Sequence, residues 1–133
     1  METSRISFLS FPKISDERGN LTYIQYFDHI PFEIKRVYWL YDVPSGQTRG
    51  GHAFKSQNEI VIALSGSFQV YLTDGVSEET YILNRPNQGL YIPKMTWRQF
   101  RNFSTNTVVL IITSDLFNEE DYINDFSIFK TYN

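Results

Sequence analysis

An all-β fold is predicted by three features of this 133-residue sequence. Short runs rich in Val, Ile, Tyr, Phe and Thr, the residues that favour strands, recur along the whole chain. Clusters of Gly, Pro, Ser, Asn and Asp separate these runs and supply turns. The runs recur at a spacing of roughly 8–12 residues, which is typical of a sandwich, a barrel or a jelly roll. Because the length suits one hydrophobic core and no linker interrupts it, we expect residues 1–133 to form a single domain.

The predicted strands all share this strand-favouring composition. In chain order they cover residues 6–11, 21–27, 35–41, 59–64, 67–72, 80–83, 90–92, 97–102 and 107–113. Turns are predicted between them at residues 16–20, 43–47, 65–66 and 73–75. Within the run 35–41 the side chains of a strand alternate, so Arg36, Tyr38 and Leu40 share one face.

The C-terminal tail at 118–129 is the one segment that suggests a helix. Its acidic residues come first, as favoured at a helix N-terminus. Apolar residues then follow at helical spacing, namely Tyr122, Ile123, Phe126 and Phe129. We expect this tail to pack on the outside of a sheet.

Composition excludes several classes of function. The chain has no cysteine, which rules out disulfides, a thiol nucleophile, an iron–sulfur cluster and a thiolate zinc site. Twelve basic and 15 acidic residues give a net charge of −3, so neither nucleic acid nor an anionic membrane is an expected partner. The apolar runs are far shorter than the roughly 20 residues of a membrane span. With no secretory signal pattern at its beginning, the chain is expected in the cytoplasm.

Residues 46–66 carry a motif with chemical meaning. They keep the spacing of the first motif of the cupin jelly roll, which runs glycine, histidine, second histidine, glutamate, glycine. His52 and Glu59 match it, but Phe54 stands where the second histidine would be. In the second cupin motif, echoed at 93–102, Arg98 replaces the third histidine. The chain therefore resembles a cupin that lacks two of its four metal ligands.

This ligand loss argues against a catalytic metal. A divalent transition metal needs three or four nitrogen or oxygen donors. The phenyl ring of Phe54 offers none, and the permanently charged guanidinium of Arg98 repels a cation. We expect no metal and no other cofactor, and we interpret Glu59 as a strand residue rather than a ligand.

A closer resemblance extends over most of the chain, from about residue 6 to 129. Six short motifs at 16–21, 30–38, 49–53, 63–67, 89–93 and 121–123 are similar, in order and spacing, to the sugar-nucleotide 3,4-ketoisomerases. That family acts on dTDP-4-keto-6-deoxyglucose in making deoxyamino sugars for surface polysaccharides. The resemblance implies a metal-independent transfer of the keto group from C4 to C3 through an enediol or enediolate. It also implies a homodimer, in which the apolar run 6–11 is suited to strand exchange.

The resemblance assigns His52 as the catalytic base. Its unperturbed pKa near 6.5 leaves it able to accept a proton at pH 7. Phe54 lies two residues further along the strand and shares its face, where it would pack on a sugar or desolvate the base. Because a phenyl ring carries no proton, Tyr38 is the candidate to relay one or to hold a hexose hydroxyl.

Cationic side chains supply candidate contacts to the substrate diphosphate. Three cations that flank the His52 motif are predicted to bind the diphosphate, namely Arg36, Arg49 and Lys55. Arg18 matches a loop at the pocket edge. Arg98 should point into the barrel, where a substrate oxygen or a carboxylate would satisfy its charge. Arg18 and Arg98 match different branches of the family, so the galacto or gluco configuration of the product stays open.

Two other functions remain open. One is a non-catalytic cupin that binds a nucleotide sugar or a glycan, which a blocked pocket or a His52 held by a core carboxylate would favour. The other is a related epimerase or isomerase of 4-keto hexoses. Epimerases of the 3,5 type use a His–Asp dyad, and the sequence places no Asp convincingly beside His52.

Overall fold

The computed structural model describes residues 5–132, and these are almost entirely β-structure. The strands are β1 (Ser7–Ser10), β2 (Lys13–Asp16), β3 (Gly19–Thr22), β4 (Arg36–Leu40), β5 (Arg49–Phe54), β6 (Glu59–Ser65), β7 (Phe68–Thr73), β8 (Glu78–Leu83), β9 (Gln88–Ile92), β10 (Trp97–Arg101), β11 (Val108–Thr113) and β12 (Tyr122–Ile123). A 3₁₀ turn at Glu119–Asp121 precedes β12, and one short helix, α1 (Phe126–Lys130), follows it. No helix within residues 5–132 is long and apolar enough to cross a membrane.

Two five-stranded sheets form the body of the fold. The first has the order β1-β9-β6-β11-β4 and the second the order β12-β5-β10-β7-β8. All their strand pairs are antiparallel, and β2 pairs with β3 in a separate hairpin. This arrangement confirms the predicted all-β jelly roll.

Alternation along the strands divides the core in two. In β6, Val61 and Ala63 belong to the main core, which also takes up Phe68, Leu90 and Phe100. The intervening Ile60 and Ile62 lie on the other face, where Phe11 and Ile30 cover them. Glu59 lies two residues before Val61 in β6, so both side chains point to the same face of the sheet. A buried carboxylate therefore faces the main core.

The N-terminal region departs from the prediction. The strand expected at 21–27 ends at Thr22, and the residues before it form a tight hairpin rather than a long turn. Phe27 adopts a left-handed backbone, with φ of 81°, which breaks an extended strand. Strand β5 contains two glycines and is not predicted as a strand-favouring run. Its pairing with β10 places it in the sheet despite its low intrinsic propensity.

The predicted continuous helix at 118–129 is wrong in its extent. Asp121 interrupts it, because its carboxylate accepts hydrogen bonds from the backbone N–H groups of Ser56 (2.8 Å) and Gln57 (3.1 Å). The following residues then pair as β12 with β5, and the helix restarts only after Asp125, which caps α1. The tail does pack on the outside of the second sheet, where Phe129 is buried in one cluster with Trp97.

Candidate active site

Strands β5 and β10 bring the two motif positions together at a cavity. His52 and Arg98 are register partners across these strands, so their side chains lie on the same face of the sheet. The cavity has a volume of about 170 Å³. It is lined by Tyr38, Leu40, Arg49, Gly50, His52, Arg98, Phe100 and Tyr122.

A buried ion pair forms one wall of this cavity. The guanidinium of Arg98 donates to both carboxylate oxygens of Glu59, from Nε to Oε1 at 2.7 Å and from Nη2 to Oε2 at 2.9 Å. Burial alone would lower the pKa of Arg98, but the facing carboxylate of Glu59 outweighs it and holds that pKa above its ordinary value. The charge of Arg98 is therefore compensated by a carboxylate, which is one of the two partners expected from the sequence.

Tyr38 joins the same network. Its hydroxyl donates to Oε2 of Glu59 at 3.2 Å and accepts from Nη2 of Arg98 at 3.1 Å. Burial and the nearby carboxylate of Glu59 raise the pKa of Tyr38 well above 10. The face predicted for this strand is confirmed, since Arg36, Tyr38 and Leu40 are half-buried. Tyr38 thus lies in the cavity as expected, with its hydroxyl held in the ion-pair network.

Gly50 is required where the backbone of β5 approaches this ion pair. Its φ of 76° is in the left-handed region, and a Cβ atom built on it would clash with Nη1 of Arg98. The same Nη1 donates to the carbonyl oxygen of Gly50 at 3.2 Å. The glycine therefore lets the strand contact the guanidinium directly.

His52 is surrounded by rings. The centroid of its imidazole lies 4.9 Å from the ring of Phe54 and 4.9 Å from the ring of Tyr122. Within residues 5–132 its Nε2 atom is buried and has no hydrogen-bond partner. Burial, with a smaller contribution from Arg98, lowers the pKa of His52 to about 3. The imidazole is therefore neutral at pH 7, and no carboxylate of the described chain holds it.

Phe54 lies beneath the histidine rather than on the cavity wall. It is buried, and its ring meets that of His52 edge-on at 81°. Its position supports the desolvating role predicted for it more than the stacking role.

Besides Arg98, two more of the predicted cations lie near the cavity. Arg49 lines its rim and is exposed. Arg36 packs over the ring of Tyr38, with its Cζ atom 4.7 Å from the centroid, and donates to Oε1 of Gln57 at 3.4 Å. In the described part of the chain, Nε of Arg36 and Nε2 of Gln57 are buried without partners.

The structure of the single chain does not bring Arg18 or Lys55 to the cavity. Arg18 lies in the exposed turn of the β2–β3 hairpin, where it forms an ion pair of 2.6 Å with Asp16. Lys55 follows the end of β5 and is exposed, with its backbone N–H bonded to the carbonyl oxygen of Asp121.

The residues of the site do not fit a cupin metal. Phe54 offers no donor, Arg98 is a cation, and the carboxylate of Glu59 is already engaged by Arg98. Across residues 5–132, no group of three or more His, Asp or Glu side chains is arranged to hold a metal ion.

Tyr122 is the cavity residue that sequence reasoning missed. Its helical spacing assigns Tyr122 to a helix face, and only its place in the Asp-Tyr-Ile motif at 121–123 indicates another role. In the structure β12 pairs with β5, with Tyr122 opposite Phe54, and this pairing turns the phenol toward His52.

A jelly roll whose cavity is lined by a neutral buried histidine, two arginines and two tyrosines is of the cupin type. Comparison with known proteins specifies it further: residues 4–133 match the model of the family described as FdtA: WxcM-like, C-terminal, and the chain belongs to that family. The TDP-4-oxo-6-deoxy-alpha-D-glucose-3,4-oxoisomerase of Aneurinibacillus thermoaerophilus is 38% identical over 124 residues, which are 93% of this chain and 89% of that protein.

Solved structures agree with this family. A 3,4-ketoisomerase from Helicobacter canadensis is 41% identical, with a TM-score of 0.93 over 96% of each chain. A histidine-to-asparagine variant of the 3,4-ketoisomerase QdtA from Thermoanaerobacterium thermosaccharolyticum, in complex with TDP-4-keto-6-deoxyglucose, is 33% identical. Its TM-score is 0.94, over 99% of this chain and 95% of that one. These likenesses confirm the cupin-like fold and the resemblance predicted from the sequence motifs.

Proposed function

We propose that this chain is a metal-independent sugar-nucleotide 3,4-ketoisomerase that converts TDP-4-keto-6-deoxyglucose into a TDP-3-keto-6-deoxyhexose. The observation that carries the proposal is the neutral imidazole of His52, whose Nε2 is buried without a protein partner beside a cavity within residues 5–132. The names of the relatives support this reaction and this substrate. A cytoplasmic location, expected from the sequence, is part of the proposal.

His52 starts the reaction as the general base. It removes the proton from C3, the C3–H electron pair becomes the C3=C4 bond, and the carbonyl pair moves onto O4. The enediolate that forms is negatively charged. Arg49 lines the same cavity and supplies positive charge that stabilises it, whereas the charge of Arg98 is balanced by Glu59. Phe54 supports the base from beneath, because it keeps water away from the imidazole and so keeps His52 neutral.

The diphosphate of the substrate needs cations outside the reacting centre. Arg49, at the exposed rim, is the best placed of the predicted residues. Arg36 is held against Tyr38 and has an Nε–H without a partner in the described chain, so it is a second candidate. Lys55 is a third candidate for binding the diphosphate, and its long side chain would have to reach the cavity rim from the end of β5.

We also propose that the protein is a homodimer. On the face of β4 opposite the site, Val37 and Trp39 are 47% and 57% exposed, and Tyr41, just after the strand, is 62% exposed. Trp39 is the register partner of Leu110, which lines an apolar groove of about 450 Å³ on the outside of the first sheet. Contiguous exposed apolar side chains beside an apolar groove mark an interaction site. A second copy is the occupant that we propose.

The β2–β3 hairpin supplies the complementary surface. Ile14 and Leu21 are each 56% exposed on it, and a two-stranded hairpin is marginally stable alone. Packing against a second copy would bury these residues and would offer Arg18, at the hairpin turn, a route to the cavity of the other subunit. Strand β1 already pairs with β9 of its own chain, so the first sheet is complete without exchange of the run 6–11.

The proposal is tested with purified protein dialysed against a chelator and incubated with TDP-4-keto-6-deoxyglucose. Proton NMR should show conversion to a 3-keto product, with the same rate before and after dialysis. A protein whose melting temperature rises with TDP but which leaves the sugar unchanged would be a binding module. Activity that returned only with an added divalent metal would contradict the metal-independent reaction.

A further inference from the structure

We propose that the hydroxyl of Tyr122 is the second proton-transfer group of this site, working beside His52. The inference rests on the proposed ketoisomerase function and extends it. A 3,4-ketoisomerase must move a proton from O3 to O4 as well as one between the two carbons, and Phe54 cannot take part in either transfer.

The position of Tyr122 follows from strand pairing. Tyr122 is the register partner of Phe54, and the centroids of the two rings are 4.7 Å apart. Its ring also lies 4.9 Å from that of His52, and both residues line the same cavity. The phenol of Tyr122 therefore occupies the region that a proton carrier at position 54 would serve.

The backbone around Tyr122 is held firmly. The carboxylate of Asp121 accepts hydrogen bonds from the backbone N–H groups of Ser56 and Gln57. The backbone carbonyl oxygen of Asp121 accepts a third, from the backbone N–H of Lys55. On the other side, Ile123 is buried in the outer cluster of the second sheet. Tyr122 is thus anchored on both sides, as a reacting group needs to be.

The other cavity residues are poorly suited to the transfer. Arg49 and Arg98 carry guanidinium groups, which do not act as proton carriers, and Leu40, Gly50 and Phe100 carry no titratable group. The hydroxyl of Tyr38 donates to Glu59 and accepts from Arg98, so its proton is committed to a carboxylate. The hydroxyl of Tyr122 makes no hydrogen bond to the part of the chain that the structure describes, and it lies near enough to Tyr38 for the two phenols to interact electrostatically.

The resulting step balances without any further reactant. His52 first takes the C3 proton and the enediolate forms, and its O4 then takes the proton of the Tyr122 hydroxyl, which gives a neutral enediol. The Tyr122 phenolate then removes the proton from O3, the O3–H pair becomes the C3=O bond, and the C3=C4 pair takes a proton at C4 from His52 or from solvent. C3 is oxidised, C4 is reduced, and both side chains return to their starting states.

The test replaces the hydroxyl alone. We expect Tyr122→Phe to lower kcat by roughly 10²–10⁴-fold, the usual range for loss of a general acid or base, with little change in KM. Because His52 is intact, the variant should still exchange the C3 hydrogen of the substrate with D₂O. Tyr132→Phe makes the same change at an exposed tyrosine outside the cavity and should keep wild-type kcat. Thermal unfolding shows whether each variant is folded.

A second variant tests whether positions 54 and 122 share one role. Adding Phe54→His to Tyr122→Phe places an imidazole opposite the missing hydroxyl and should restore part of the lost turnover. Retention of kcat within about threefold of wild type by Tyr122→Phe would overturn the proposal, as would loss of C3 exchange together with turnover, which would mean that Tyr122 only positions His52. If the wild-type protein neither isomerises the sugar nor exchanges C3, the proposed function itself fails.

Discussion

At His52, a neutral imidazole is maintained by burial and by the charge of Arg98, and this has a thermodynamic consequence. The pKa is lowered from 6.5 to about 3 in the folded protein, so between these values the unfolded chain binds a proton at position 52 that the folded chain does not. His52 therefore makes the free energy of unfolding rise with pH across this window, and its contribution is lost as the pH falls through it.

We expect His52→Asn to flatten this dependence. The variant should lose less stability than wild type on acidification from about 6.5 toward 3, by at most about 1.4 kcal/mol for each pH unit. Urea denaturation of both proteins at several pH values measures the difference, and the carboxylates common to both proteins cancel in it. Parallel curves for the two proteins would show that His52 is not buried in its neutral form.

The sequence allowed most single positions of the site to be predicted, but not all. His52 and Arg98 could be predicted from motif spacing, because such spacing reflects which side chains of a strand face the interior of the jelly roll. Tyr122 did not, since its contact with His52 depends on the pairing of β12 with β5, two segments far apart in the chain. Neither local propensity nor periodicity contains that pairing.

Among the elements, α1 and β12 show how a short tail supports the site. Phe129 on α1 packs against Trp97 on β10, with ring centroids 5.8 Å apart, and shares a cluster with Ile123 on β12. The helix thus fixes the outer side of the strand that carries Tyr122. The periodic pattern predicts one longer helix, and only the part with Phe126 and Phe129 is helical. The earlier part is not helical, because the Asp121 carboxylate bonds to the backbone of the loop after β5.

We expect Phe129→Ala to lower both stability and activity. Loss of this buried ring should cost about 3–5 kcal/mol of unfolding free energy. It should also reduce kcat, because β12, the strand that carries Tyr122, is no longer held in place. Denaturant unfolding and steady-state assays measure the two effects. Ile128→Ala, at a neighbouring side chain that is 53% exposed, is the control and should change neither. Full activity in a clearly destabilised Phe129→Ala protein would separate the tail from catalysis.

For the whole molecule, the two faces of β4 have different partners. One face presents Tyr38 to the cavity, and the other presents Trp39 to the surface. If the exposed face is the subunit interface, the same strand links assembly to the site.

We expect Trp39→Glu to yield a monomer, because a carboxylate at the centre of an apolar interface is costly to bury. Sedimentation velocity over a range of protein concentrations distinguishes the two states. Val76→Glu introduces the same charge at a side chain that is 87% exposed in the β7–β8 turn, and it should leave a dimer intact. A wild-type protein that sediments as a monomer at all concentrations would refute the proposed dimer.

The most direct measurement follows the reaction in D₂O by proton NMR, with wild-type protein and His52→Asn side by side on TDP-4-keto-6-deoxyglucose. We expect the wild-type protein to form a 3-keto product that carries solvent deuterium at C4. The variant should form none, although TDP still raises its melting temperature. Deuterium that entered only at C5, a substrate that stayed unchanged, or wild-type turnover by His52→Asn would contradict a ketoisomerase with His52 as its base.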